Sequence, residues 1–371
     1  MSVLLITYGF SYAISGQCAN CHTMHASQNG SWIGDADITK HRSLLKYGCI
    51  ACHTGTTGEK NGDAPIVWHT TPPVSQGGTF TNAGGDFYWV ATSGGNSDSK
   101  GHNVEGIAAE DQKIGNNAPG FSPPGWDATA TSASYLYGAI APSSWNQQVT
   151  CAGEFGCHGK HGTGIDIWAG VSGGHHNNPS GSASQVTALP TTVGGSYRFL
   201  NGIKGLENAD WNWSETNAVH NEYSGVSDLS TRNTESGAGD YAGARTAGTI
   251  SFLCAECHGR YHASIASAGA GASPWLRHPT DVILPSDAAK EYTNYTAYSV
   301  VAPIARPDLT SIGNSAVVVP GTDIVMCLSC HRAHGSNQAD LLRWDYNGMV
   351  AGTTNGAGTG CFVCHRNKDG V

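Results

Sequence analysis

Charged side chains are scarce in this chain, at 13% of 371 residues, and hydrophobic ones reach only 39%. Long amphipathic helices, which need both kinds in alternation, are therefore not expected. Lysine and arginine together number 19 and are spread thinly under a formal net charge of −9, so no basic patch suits a nucleic acid. No apolar run approaches the length of a membrane span. The longest, Val3 to Ile14, has no preceding lysine or arginine. It reads either as the remnant of a secretory signal or as an apolar arm that docks on a partner.

What the chain has is 50 glycines, 17 histidines and 12 cysteines, and the cysteines follow a rule. Cys18-Ala19-Asn20-Cys21-His22 is the attachment signature of a c-type haem. Two thiols three apart lie on one face of a helical turn, placed for thioethers to the two porphyrin vinyl groups, and the next histidine falls under the iron. The signature recurs at Cys49, Cys52 and His53, at Cys254, Cys257 and His258, at Cys327, Cys330 and His331, and at Cys361, Cys364 and His365. A sixth pair, Cys151 and Cys157 followed by His158, has five residues between its thiols and is expected to bulge that loop outward. Six pairs use every cysteine. Zinc knuckles and iron–sulfur sites need no histidine directly after the second thiol, and a disulfide framework would not repeat so short a spacing.

Six covalently attached haems c, one for roughly every sixty residues, imply that the porphyrins themselves are the core. The expected fold is a multihaem cytochrome c: loop-rich, with short helices at the haem motifs and few short strands. The peptide wraps a continuous haem chain as a single domain over residues 1–371. Short strands are expected at Phe87 to Ala91, at Ser299 to Ile304 and within Ala316 to Met326. The haem propionates add further negative charge. Attachment of haem c occurs outside the cytoplasm, so the chain is expected to be exported.

Six proximal histidines, His22, His53, His158, His258, His331 and His365, leave eleven others. His25, His161 and His334 each follow a proximal histidine by three, and His262 follows His258 by four. A residue so close lies on the same side of its turn and cannot reach around the ring, so each of these, if it binds iron, binds that of another haem. His69 after Ile66-Val67-Trp68, His102 between Gly101 and Asn103, and His278 before Pro279 complete seven candidates for six places. The surplus one lies among His69, His102, His262 and His278, with His262 the first to set aside. His41, His175, His176 and His220 sit in polar surroundings and read as solvated surface residues.

The octet Cys18 to His25 resembles the OmcS-type hexahaem cytochromes, which polymerise into extracellular electron-conducting filaments. So do Gly84-Gly85-Asp86-Phe87-Tyr88-Trp89-Val90, Gly101-His102-Asn103, Cys254 to His262, Leu276-Arg277-His278-Pro279 and Cys327 to His334. The resemblance implies six bis-histidine haems stacked in a zigzag, identical subunits in a helical filament, and delivery to extracellular acceptors at or beyond the cell surface. It also implies that His25 ligates the haem held by Cys327 and Cys330 in the adjacent subunit. The third motif departs from the pattern in its spacing. Two other readings follow from the residues: a multihaem reductase with one open site at the Cys151/Cys157 motif, and a monomeric periplasmic or extracellular electron shuttle. No lysine follows any cysteine pair, which weighs against the reductase.

Overall fold

The computed structural model describes residues 16–25, 27–28, 31–32, 44–62, 64–73, 83–92, 98–111, 122–124, 126, 144–176, 189–207, 217–218, 220–226, 248–258, 278–289, 291–310, 316–354 and 356–366. Within them regular structure is sparse and local. The haem motifs themselves form much of the helix. Cys18–Cys21 and Cys49–Cys52 are single α-turns, and Ile250–Cys257 ends on its motif, with the Thr249 hydroxyl accepting from the Phe252 amide at its start. Cys327–Ser329 and Gly360–Val363 are tighter 3-10 turns.

In all five regular motifs one bond recurs. The amide of the histidine donates to the carbonyl of the first cysteine: His22 to Cys18 at 2.8 Å, His53 to Cys49 at 3.0 Å, His258 to Cys254 at 2.8 Å, His331 to Cys327 at 3.1 Å and His365 to Cys361 at 2.9 Å. That single turn puts both thiols and the imidazole in register. The third motif reaches the same end differently. Thr150–Ala152 and Gly156–His158 lie side by side in parallel register, Ala152 opposite His158. The chain loops back between them through Gly153, whose φ of +82° suits glycine, and restarts in the same direction. The intervening loop does not bulge freely: Glu154 donates its amide to Ile165 and Thr150 donates its own to Phe155.

Five two- or three-residue strands form the largest sheet, in the order Val282–Ile283, Ile324–Val325, Ala305–Arg306, Glu222–Ser224, Gly205–Leu206. All neighbours are antiparallel except Ala305–Arg306 with Glu222–Ser224. Its centre is ionic. Buried Arg306 donates to Glu222 at 2.7 Å and to Asp323 at 3.1 Å. Apolar clusters lie around it, one built on Phe155, Tyr197, Tyr223, Phe252 and Met326, another on Leu284, Tyr295, Tyr298, Ile304 and Val318.

Two strand expectations are corrected. Tyr88–Ala91 is a helical turn, because Asp86 accepts the Tyr88 amide at 2.8 Å and caps the aromatic run from below. Ser299 to Ile304 turns, since the Tyr295 hydroxyl takes the Ser299 amide and donates to the Ala302 carbonyl; strand pairing begins only at Ala305. Within Ala316 to Met326 the strand is Ile324–Val325.

Candidate haem-binding sites

Five of the proximal imidazoles are fixed by their inner nitrogen. Nδ1 of His53 donates to the Pro65 carbonyl at 2.8 Å, that of His158 to Arg198 at 2.9 Å, that of His258 to Pro124 at 2.8 Å and that of His331 to Asp340 at 2.7 Å. His365 points Nδ1 at the Glu291 carboxylate, at 2.8 Å. This fixes the tautomer and leaves Nε2 aimed outward.

What those rings face is a second imidazole. His22 faces His176 with ring centres 6.0 Å apart, and His53 faces His175 at 6.3 Å. His158 faces His334 at 6.3 Å, His258 faces His102 at 6.1 Å, and His365 faces His278 at 6.2 Å. Two metal–nitrogen bonds of ~2 Å, with a further ~1 Å from each nitrogen to its ring centre, place two axial imidazoles ~6 Å apart. Stacked rings without a metal pack closer, as His220 does on Tyr298 at 3.6 Å. The five spacings therefore fit an iron between each pair. Burial keeps the rings in the neutral form that coordinates, pushing His158 and His258 down to about 4 and His334 to about 3.

The thiols are ordered as well. Cys21 lies in the field of Cys52, and Cys49 is hydrogen-bonded to Cys151. Cys157 neighbours Cys254 and Cys257, Cys254 is hydrogen-bonded to Cys327, and Cys330 neighbours Cys361 and Cys364. The six motifs thus follow one another in space in their chain order. All twelve thiols are free of disulfides.

The second rings are not all the expected ones. His102, His278 and His334 each face a proximal histidine. His69 does not: its Nδ1 meets Asp86 at 2.5 Å and its Nε2 meets the Gly58 carbonyl at 2.8 Å, so both nitrogens are engaged. Burial opposes a charge there, but Asp86 and Gly58 outweigh it and raise the ring's proton affinity. His161 is likewise occupied, by Glu256 at 2.7 Å and the Cys157 carbonyl at 3.0 Å. Their places fall to His175 and His176, which polar neighbours had marked as surface residues. A doubled histidine splays its rings apart, and here they serve the adjacent first and second motifs. His220 is buried, not solvated, and bonds Glu222 at 3.0 Å. His41 and His262 lie outside the described residues. His25 is exposed, and among the described residues neither it nor His331 faces a second imidazole.

The loop patches explain how His102 and His334 are placed. Gly85 and Gly101 both bridge to Gly335, and the His102 amide reaches the His334 carbonyl. Three backbones cross there at glycine distance, throwing the two imidazoles toward different motifs.

Comparison with known proteins places the chain beside c-type cytochromes. A family model described as a doubled CXXCH motif matches residues 320–370, which hold the fifth and sixth signatures. C-type cytochrome OmcS of Geobacter sulfurreducens is 27% identical, the match covering 89% of this chain and 78% of that one. The chain resembles the OmcS-type cytochromes. Its fold class is that of a loop-rich multihaem cytochrome c, carrying covalently bound haem c. Two solved structures also align at 19% identity: the Outer Membrane Cytochrome S filament of Geobacter sulfurreducens, with a TM-score of 0.45 over 91% of this chain and 85% of that one, and the OmcS nanowires of the same organism, with 0.44 over 89% and 84%. Among the described residues no helix is long and apolar enough to cross a membrane.

Proposed function

We propose that this chain is an extracellular electron-transfer protein, a single hexahaem domain over residues 1–371 that polymerises into filaments of identical subunits and passes electrons to acceptors outside the cell. Bis-histidine haem iron supplies one-electron exchange with no open position for a substrate. The observation that carries this reading is the set of five opposed imidazole pairs, 6.0–6.3 Å apart, on motifs strung in order. The pairs are His22–His176, His53–His175, His158–His334, His258–His102 and His365–His278. The protein's own work is to fix spacing and to hold each imidazole neutral and oriented.

The sixth pair supports polymerisation. Among the described residues, His331 of the fifth motif and exposed His25 beside the first face no second imidazole. The OmcS resemblance assigns the second ligand of the fifth haem to the neighbouring subunit's copy of His25, which is consistent with that remainder. OmcS is itself named for filaments and nanowires in the solved structures. A reductase with an open haem at the third motif loses its support from the His334 ring, which stands opposite His158.

The test is His25→Ala in the exported holoprotein. Negative-stain images should change from long fibres to discrete particles, and one of six haems should turn high-spin by electron paramagnetic resonance. Fibres that persist in the variant, or a wild type that forms none, would sink the polymer and leave a monomeric shuttle.

A further inference from the structure

The proximal imidazoles are not all held alike. His53, His158, His258 and His331 each give their Nδ1 proton to a neutral backbone carbonyl, at 2.7–2.9 Å. His365 gives its own to a carboxylate, Glu291 Oε1, at 2.8 Å. Glu291 starts the 3-10 helix Glu291–Asn294, and its side chain is only 13% exposed, so solvent screens it weakly. Tyr292 packs edge-on against the His365 ring, centres 5.1 Å apart, and fixes the angle at which the carboxylate is met. The opposite ring, His278, meets a neutral acceptor, the Pro279 carbonyl, through Nδ1 at 3.0 Å.

We infer that Glu291 is a positioning residue that lowers the reduction potential of the sixth haem below that of the fifth. An anionic acceptor draws the Nδ1 proton further from the ring than a carbonyl does. The imidazole becomes a stronger donor to iron, and the ferric state gains relative to the ferrous. At the fifth site the acceptor on His331 is the neutral Asp340 carbonyl, and the Asp340 carboxylate and the Arg343 guanidinium act on that ring in opposite senses. Buried Arg343 donates to the Leu328 and His331 carbonyls, to Val300 and to Ala83, with no carboxylate partner among the described residues. An electron on the sixth haem is therefore pushed toward the fifth, and the last site of each subunit acts as a step rather than a resting place. This rests on the bis-histidine reading of the sixth site proposed above.

Glu291→Gln keeps a hydrogen-bond acceptor of the same length and removes the charge. Redox titration of the holoprotein, followed by visible and electron paramagnetic resonance spectra, should show one midpoint, that of the sixth haem, rising. The largest g value of one low-spin haem should move with it, while haem content and the other five midpoints hold. Glu291→Ala should raise the same midpoint and serves if the glutamine rotates away. Six low-spin haems with every midpoint unmoved in both variants would overturn the inference and leave the bis-histidine reading intact. A wild type with a high-spin sixth haem would overturn both.

Discussion

A histidine's value as a ligand here depends on what its inner nitrogen has already found. His53 spends Nδ1 on the Pro65 carbonyl and keeps Nε2 free to face His175. His69, sixteen positions on, spends both nitrogens on Asp86 and Gly58. What separates the two is the partners their nitrogens have found. Replacing His175 by Met or Ala should convert the second haem partly to a high-spin or methionine-ligated form, visible in the Soret and near-infrared bands. His69→Gln should leave every haem low-spin and lower stability by about 1–3 kcal/mol, since it leaves Asp86 buried without its partner. Chemical denaturation and electron paramagnetic resonance on both variants separate the two roles.

At the level of elements, the working unit is a single turn, not a helix or a sheet. One bond from each histidine amide to the first cysteine carbonyl builds five of the attachment sites, and a tight parallel loop through Gly153 builds the other. Turns this short have little stability of their own, because nucleation costs more than one hydrogen bond returns. They hold through what crosses them. The meeting of Gly84-Gly85, Gly101-His102 and His334-Gly335 is the tightest such crossing. A Cβ at Gly85, where φ is +83°, would sit 1.9 Å from the Gly335 carbonyl oxygen. Gly85→Ala should therefore cost about 2 kcal/mol or more and displace the loop bearing His334. A lowered denaturation midpoint together with a high-spin fraction at the third haem checks both consequences.

For the whole molecule, the peptide's own cores are small and separate. Arg306 with Glu222 and Asp323 anchors the sheet, and the aromatic clusters that flank it take in motif residues such as Leu328 and Val363. Under that arrangement the porphyrins supply the apolar mass that the strands and turns lack. Chain made without haem attachment should give far-ultraviolet circular dichroism without a cooperative melting transition, whereas the holoprotein should melt sharply. A cooperative transition in the haem-free chain would place the core in the polypeptide instead.

The sequence by itself determined the attachment sites and the poverty of regular structure. A thiol, a thiol and a histidine within five residues need only one local turn to meet, and a chain so poor in charge and so rich in glycine has little with which to extend that turn. It also marked Gly84-Gly85 and Gly101-His102 as special, although not that they touch. Only the tertiary structure decided which imidazoles stand opposite which. Opposition across an iron joins residues far apart in the chain, such as His158 and His334 or His258 and His102, and local spacing carries no trace of it. The same holds for the rings set aside. His161 sits three residues from a proximal histidine, as His25 and His334 do, but Glu256 arrives from a distant helix and occupies it. His175 and His176, between glycines and asparagines, read as surface until the fold brings the first two motifs against them.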